Sequence, residues 1–308
     1  MAIYARWERS WTLTGTLVAR PDSRVAPLTS SEIEILGYRL RVIAPHEILA
    51  PLRQRLAVPT GCVDAGRAGY ALTISVTPAA DHPGYFLVVQ DGQAPAMIPR
   101  ESIARHLEWL VHAAAIGKLR RRHLLLHAGA VAWGDAGFIL CASSGSGKST
   151  LTAGLVAGGF QYLSDEVAAL DPDSLMMLPY PRPICVKAGS REALAAHYPA
   201  LADEQPELRS DGEAVWYLPL AEHAWRREPV APRFLIFPRY EPGAVTRLSA
   251  ISRRAALERL AAQSFSGDAL GARGLGALAR LAAATECFEL TAGSLDAGVS
   301  AVRRLAER

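Results

Sequence analysis

A glycine-rich segment that ends in a lysine and a hydroxyl residue is the part of this sequence whose residue types could do chemistry. It runs Ala-Ser-Ser-Gly-Ser-Gly-Lys-Ser over 142–149, between an apolar run at 137–141 and a helical pattern. Glycines allow a sharp turn after a strand, so that successive N–H groups and the start of the next helix point at an anion. A lysine and a serine at the end of such a loop reach phosphate oxygens and Mg²⁺. The spacing therefore predicts a phosphate-binding loop (P-loop) for ATP, with GTP as an alternative.

Lysine usage supports this interpretation. Of the 33 basic residues, only Lys118, Lys148 and Lys187 are lysines. A compact point charge on a flexible stem suits the loop better than the planar fork of arginine. The one departure from the motif is Ala142, which stands where the first glycine is usual, and the alternative is an ordinary Ser/Gly-rich turn. The residues expected to bind the nucleotide are Ser144, Gly145, Ser146, Gly147, Lys148, Ser149 and Thr150.

Polar groups flank this loop on both sides in the sequence. Upstream, an apolar stretch over 124–132 carries His127 and predicts a strand that pairs with the strand feeding the loop. Downstream, a second short strand is expected over 160–163 and is followed closely by Asp165 and Glu166. Acidic residues at the C-terminal end of a strand beside a P-loop strand lie near the γ-phosphate and its metal. The alternatives are a core histidine and a solvated acidic turn.

Together these elements resemble the HPr kinase/phosphorylase family and its HPr-kinase-related branch. The resemblance is carried by the histidine-containing strand LLLHAGAVA, the loop SSGSGKST and the strand end YLSDE, in the family's order and with closely similar spacing. It covers roughly residues 120 to 190 well and the rest loosely. It implies an α/β fold with the P-loop kinase core that this family shares with phosphoenolpyruvate carboxykinase, and a serine kinase that acts on a small protein or peptide.

The resemblance also implies roles for individual residues. Asp165 matches the general base that takes the proton from the substrate hydroxyl, and Lys148 matches the clamp on the γ-phosphate. Ser149 matches the Mg²⁺ ligand. His127 matches the active-site histidine, which contacts the phosphates or orients Asp165. Glu166 stands in place of the family's second aspartate, where it could bind metal or hold its neighbour.

The segment after the acidic pair departs from the bifunctional members of the family. Their long signature with an extra metal-binding glutamate is missing, and the segment LPYPRPICVK at 178–187, typical of the related branch, takes its place. Phosphorylase activity and HPr as the substrate are therefore not carried over. Prolines fix the backbone ahead of Arg182 and Lys187, which could contact phosphates or a substrate carboxylate. The alternative is a packed proline turn with solvated charges.

Members of the related branch resemble tailoring enzymes for ribosomally made peptides. The sequence therefore predicts an enzyme, a phosphotransferase that modifies a hydroxyl of a small protein or ribosomal peptide with ATP and Mg²⁺. Two other functions stay open, namely a non-catalytic nucleotide-binding partner of a peptide-maturation complex and a kinase for a small metabolite. Relatives assemble as hexamers, so a homo-oligomer is also open.

Composition excludes some classes of partner. With 308 residues and 50% hydrophobic content the chain can bury a substantial core, and a net charge of +3 is too small to predict nucleic-acid binding. The four cysteines are scattered without metal-ligand spacing, which predicts reduced thiols. No signal peptide or membrane-spanning apolar stretch is visible in the sequence. These features predict a cytoplasmic protein without a membrane partner.

The N-terminal part has a different composition from the part that carries the motifs. Strand-like segments occur at 11–19, 38–43, 70–76 and 85–90, separated by Pro, Gly and Asp. We therefore expect a β-rich α+β region, for which substrate docking is a hypothesis. An amphipathic pattern then predicts a connecting helix. The predicted division is an N-terminal region at 1–100, a helix at 101–120 and a catalytic domain at 121–308.

Overall fold

The computed structural model describes residues 27–56, 70–180, 182–208 and 213–308 and divides them into two compact units. The N-terminal unit holds the described residues up to Lys118 together with residues 207, 208, 213 and 214. The C-terminal unit holds those of 119–206 and 215–308. The fold is mixed α/β, with several sheets and seven α-helices over the described ranges. None of these helices is long and apolar enough to cross a membrane.

The N-terminal unit is built on one five-stranded sheet with the order β1–β2–β3–β4–β5. All neighbouring strands are antiparallel except β2 and β3, which are parallel. A parallel pair needs a crossover connection, and helix α1 lies between these two strands in the chain. Its elements in chain order are β1 (Leu28–Ile35), β2 (Tyr38–Pro45), α1 (His46–Leu56), β3 (Leu72–Pro78), β4 (Tyr85–Gln90), β5 (Ala96–Pro99), a 3₁₀ turn (Arg100–Ser102) and α2 (Ile103–Leu119).

Three of the four strands expected in this region are confirmed, with shifted ends for two of them, as β2, β3 and β4. The fourth, over 11–19, lies outside the described residues. The expected helix is confirmed as α2. The sequence did not predict β1, in which only Ile33 and Ile35 are buried apolar residues among polar ones.

The C-terminal unit is organised around a six-stranded sheet with the order β16–β17–β15–β8–β7–β9. Beyond α2 the chain forms the strands β6 (Leu124–Leu126), β7 (Ala128–Trp133), β8 (Ala136–Cys141), β9 (Gln161–Ser164), β10 (Ala168–Leu170), β11 (Met177–Leu178), β12 (Cys185–Lys187), β13 (Glu207–Leu208), β14 (Ala214–Tyr217), β15 (Pro232–Tyr240), β16 (Arg247–Ala250) and β17 (Glu286–Ala292). All of them except β13 and the first residue of β14 belong to the C-terminal unit. The helices are α3 (Lys148–Ala157), α4 (Ala188–Leu194), α5 (Arg253–Ala262), α6 (Gly271–Ala284) and α7 (Leu295–Ala306), with 3₁₀ turns at Pro199–Ala202 and Glu222–Ala224.

The two faces of this sheet pack against different layers. Alternate residues of β7 and β8, such as Ala130 and Ile139, join a core with β6, β10, α5 and α6. The intervening residues face α3, where Gly129 lies against Thr152, and α3 packs in turn on α7. Because both faces are covered, β7, β8 and the middle of β15 are almost continuously buried and apolar.

The strand expected over 124–132 is divided in two by the structure. The first part, β6, pairs with β10 in a separate three-stranded sheet, and the second part, β7, pairs with β8 in the six-stranded sheet. His127 lies at the break, and its N–H donates to the carbonyl of Gln263 at 2.7 Å. The prediction of one continuous strand was therefore wrong, because a tertiary hydrogen bond takes His127 out of both ladders.

Candidate functional site

Strand register brings the flanking polar residues to one edge of the six-stranded sheet. Ala128, the first residue of β7, pairs with Cys141, the last residue of β8, and Ala130 pairs with Ser164 at the end of β9. Because β7 runs antiparallel to both neighbours, it begins at the edge where they end. His127, the glycine-rich loop at 142–147 and Asp165 therefore meet at this edge, which we call the loop edge.

The glycine-rich loop has the backbone conformation that its glycines allow. Gly145 and Gly147 have φ angles of 84° and 87°, in the left-handed region that other residues adopt at a cost. The Ser146 hydroxyl donates to the carbonyl of Ser143 at 2.8 Å and closes the loop. Helix α3 begins at Lys148, directly after Gly147. The first N–H groups of this helix have no partners within it, so the loop presents donors to an anion.

Lys148 is buried at the start of α3. Its side chain is 5% exposed, and its Nζ has no hydrogen-bond partner among the residues that the structure describes. Burial lowers the pKa of this ammonium group, while the nearby carboxylates of Asp165 and Glu166 raise it. An ammonium that is buried without acceptors is costly, so this position favours a ligand that supplies acceptor oxygens.

Asp165 is the matching buried anion. It is 0% exposed, and neither of its carboxylate oxygens has a hydrogen-bond partner in the described part of the chain. Burial raises the pKa of this carboxyl group to about 6, although Lys148 and the neighbouring hydroxyl of Ser149 act to lower it. The carboxylate is thus held near both the Lys148 ammonium and the Ser149 hydroxyl.

Gly129 makes room for this arrangement. A Cβ atom at this position would lie 2.4 Å from Oγ1 of Thr152 and 3.5 Å from Oδ1 of Asp165. The Thr152 hydroxyl donates to the carbonyl of Lys148 at 3.0 Å, which leaves that side chain little room to move away. Any larger residue at 129 would push the first turns of α3 away from the sheet.

Glu166 follows in an unusual backbone conformation. Its φ angle is 66°, which is uncommon for a residue with a side chain. Its carboxylate lies 2.8 Å from Nη2 of Arg182, which is 7% exposed. Arg182 therefore lies beside the acidic pair rather than in solvent, so a packed proline turn with a solvated charge, the alternative for this residue, was wrong.

His127 contacts a residue that sequence reasoning missed. Its Nδ1 lies 3.1 Å from Oε1 of Gln263, and its ring meets Phe265 edge-on. Burial and the positive charge of Lys148 lower the pKa of His127 to about 4, so the imidazole is neutral at pH 7. The segment from Gln263 to Ser266 runs beside β6, where the N–H of Phe265 donates to the carbonyl of Leu125.

Two further predicted residues, Lys187 and Thr150, are found where the start of helix α4 meets helix α3. Lys187 is the last residue of β12 and the N-cap residue of this helix. The Thr150 hydroxyl donates to Oγ of Ser190, in the first turn of α4, at 2.6 Å. The start of α4 thus packs against the first turn of α3, and Thr150 is engaged in a protein contact.

The structure therefore brings His127, Lys148, Asp165, Glu166 and Arg182 into one electrostatic cluster beside the loop. Gln263 and Gly129 also belong to this site. A glycine inside an apolar strand often marks close approach of another group, so Gly129 could have been recognised from the sequence. Gln263 could not, because it follows α5 and is 136 residues from His127 in the chain.

The metal ligands that were expected are Ser149 and Glu166. Among the described residues, no group of three or more His, Cys, Asp or Glu side chains could hold a metal ion by itself. Mg²⁺ at nucleotide sites is usually held by one or two protein ligands plus phosphate oxygens, and the hydroxyl and carboxylate here fit that pattern. Comparison of the chain with protein-family models and with curated proteins gives no match.

Proposed function

We propose that the C-terminal unit is a P-loop kinase core of the HPr kinase and phosphoenolpyruvate carboxykinase type. On this proposal the chain is an ATP- and Mg²⁺-dependent kinase that phosphorylates a serine hydroxyl of a small protein or peptide. One observation carries the proposal. Lys148 and Asp165 are buried beside the glycine-rich loop and interact electrostatically, and neither charged group has a hydrogen bond of normal geometry among the described residues.

Phosphate binding follows from the cationic half of this pair. A buried ammonium without acceptors destabilises the folded chain, and phosphate oxygens would offset that cost. The loop contributes backbone donors, since its two left-handed glycines turn the chain into the start of α3. Neutral His127 adds a polar group without a second full positive charge. The site is therefore suited to the β- and γ-phosphates of a nucleotide.

Phosphoryl transfer follows from the anionic half. A carboxylate whose oxygens have no hydrogen bond of normal geometry among the described residues is available to accept the proton of a substrate hydroxyl. The pKa of about 6 means that Asp165 is largely ionised at pH 7 and still basic enough to serve as a general base. Its position two strands from the loop strand, at the same edge, suits a group that orients the hydroxyl for in-line attack.

Metal binding would involve Ser149 and Glu166. Bound Mg²⁺ supplies neutralisation of charge on the phosphate oxygens. The contact of Arg182 with Glu166 fixes the position of that carboxylate beside Asp165. The remaining contribution of the chain is positioning, because phosphoryl transfer needs little covalent chemistry from the protein.

The experiment is transfer of γ-labelled phosphate from ATP with Mg²⁺ into an extract of the source cell, separated by size. Wild type is compared with Asp165→Asn and with Asp135→Asn. Asp135 is a fully exposed aspartate at the turn between β7 and β8, at the opposite edge of the sheet, and is a matched control. We expect Asp165→Asn to lower the transfer rate by about 10²-fold to 10⁴-fold while nucleotide affinity is retained.

The outcomes separate the candidate functions. Label in a protein or peptide that is lost with Asp165→Asn and kept with Asp135→Asn supports the proposal. Label that passes a small-pore filter would instead identify a kinase for a small metabolite. Tight ATP binding with no transfer at all would identify a nucleotide-binding partner without catalysis. Unchanged transfer by Asp165→Asn would contradict the role of the base.

A further inference from the structure

The end of strand β15 lies against the glycine-rich loop on the side away from the acidic residues. Ile236 of β15 pairs with Leu140 of β8, so the last residues of β15 reach the loop edge. The N–H of Tyr240 donates to the carbonyl of Ser146 at 3.1 Å. A Cβ atom added to Gly147 would lie 3.1 Å from Cβ of Tyr240. Tyr240 is therefore fixed by its backbone directly beside the loop.

The ring of Tyr240 is nevertheless in solvent. The residue is 52% exposed, whereas the residues from Phe234 to Phe237 on the same strand are buried. Among the described residues of the C-terminal unit, the exposed large apolar side chains are Tyr240, Val245 and Leu275. Two of these three lie in one short segment that begins at the loop. An exposed aromatic ring next to a site is a common mark of ligand contact.

Strand order places this ring where the far end of a nucleotide would lie. Asp165 follows β9 and Tyr240 ends β15, and β7 and β8 lie between these strands. Three strand spacings are about 14 Å, a length comparable with that of a nucleoside triphosphate. If the γ-phosphate faces Asp165, as the proposed function requires, the nucleoside extends from the loop toward β15.

From this placement we infer that Tyr240 is a stacking platform for the nucleotide base, a subsite distinct from the phosphate-binding loop. This inference rests on the proposed function, since it takes the orientation of the nucleotide from the position of Asp165. Aromatic stacking accepts any base, because every base has a π-face. The subsite therefore strengthens the binding of nucleotides over inorganic phosphates and does not distinguish ATP from GTP.

The test measures equilibrium binding of two probes in the presence of Mg²⁺, ATP and inorganic tripolyphosphate. The proteins are wild type, Tyr240→Ala, Tyr240→Phe and the control Leu275→Ala. Leu275 is an equally exposed apolar residue, 58% exposed, on helix α6, which packs on the face of the sheet opposite α3. Since the ring is exposed and its anchor is a backbone hydrogen bond, Tyr240→Ala leaves the fold intact.

We expect Tyr240→Ala to weaken ATP binding by about fivefold to a hundredfold, the range for loss of one base–aromatic stack, and GTP binding alike. Tripolyphosphate binding should stay within about twofold of wild type, since it lacks a base. Tyr240→Phe keeps the ring and should bind ATP like wild type, as should Leu275→Ala.

Two results would overturn the inference while leaving the proposed function in place. One is unchanged ATP binding by Tyr240→Ala. The other is an equal loss of ATP and tripolyphosphate binding in that variant, which would mean that the residue acts on the loop and not on the base. Failure of wild type to bind either probe would overturn the proposed function, and the inference with it.

Discussion

Charged side chains have opposite environments in the two sheets of this molecule. In the N-terminal sheet they are at least partly exposed and form ion pairs across strands, as Arg39 and Arg41 do with Glu32. At the loop edge of the C-terminal sheet, Lys148 and Asp165 are buried and lack hydrogen-bond partners within the described residues. Exposed pairs contribute little to stability, whereas buried groups without partners reduce it. The loop edge therefore lowers the stability of the folded chain, as functional sites often do.

The largest effect is expected for the free energy of unfolding of Asp165→Asn. Because burial raises the pKa of Asp165 to about 6, ionisation of this group destabilises the folded chain at neutral pH. The neutral amide avoids that cost. We expect the variant to be more stable than wild type at pH 7 by on the order of 3 kcal/mol, the equivalent of a rise of about two pH units. Denaturant unfolding measures the difference.

The stability difference between Asp165→Asn and wild type should depend on pH. The folded-state pKa lies above the ordinary value of 3.8, so the folded state binds the proton more readily. The contribution of Asp165 to stability is therefore complete below about pH 4 and is lost as pH rises through about 6. The gap between variant and wild type should vanish at low pH, widen between these values and then level off. A gap that is independent of pH, or a less stable variant, would contradict the assignment. Asp135→Asn serves as the control.

The second test compares two cations, one from each region. Lys148→Met removes the buried ammonium and keeps the length of the side chain. We expect it to weaken ATP binding by about 1.5–3 kcal/mol, the value of a charge-assisted contact. Arg41→Met removes an exposed, paired cation from the N-terminal sheet and should leave ATP affinity unchanged in the same binding titration.

The Lys148 variant has a further consequence for the carboxylate. Lys148 is the largest influence that lowers the pKa of Asp165. Its removal should raise that pKa above about 6. The stability gap of the first test should then still open near pH 4 but level off at a higher pH in the Lys148→Met background. If it levels off at the same pH, the two groups are not coupled as the structure indicates.

Much of the loop edge was predictable because its parts are local in the chain. The loop and Asp165 follow consecutive strands, so the apolar strand pattern was enough to place them at one edge, whereas only the family resemblance implied that His127 belongs to the site. The break at His127 was not predictable, since it depends on a hydrogen bond to Gln263, 136 residues away. The contact of Glu166 with Arg182 and the position of Tyr240 beside the loop also depend on tertiary structure, so the sequence did not predict them either.

The N-terminal unit was harder to predict for a different reason. Three strands carry enough apolar residues to be recognised, but β1 is largely polar and is held by pairing with β2 along its whole length. Helix α1 contains Pro51 in its interior, a residue that local propensity places outside helices. In both elements tertiary packing overrides the local signal.

A smaller effect is expected from the residue that orients His127. The side chain of Gln263 raises the pKa of His127 against the effect of burial, so Gln263→Leu should lower it further below about 4. Gln263→Glu places a negative charge there and should raise it. One hydrogen bond of about 1 kcal/mol corresponds to less than one pH unit. NMR titration of the imidazole measures this directly, with the other histidines as internal references. Identical titration of His127 in the three proteins would contradict the contact.

The smallest effect should come from the N-terminal sheet itself. Arg41 lies 3.7 Å from Glu32, and its guanidinium group lies over the ring of Tyr70. Both charged side chains are exposed, at 38% and 55%. A double-mutant cycle with Glu32→Gln and Arg41→Met should give a coupling free energy below about 1 kcal/mol, and high salt should reduce it further. A coupling free energy as large as the stability difference expected for Asp165→Asn would contradict the contrast between the two regions, because an exposed pair would then contribute as much to stability as the buried charges remove.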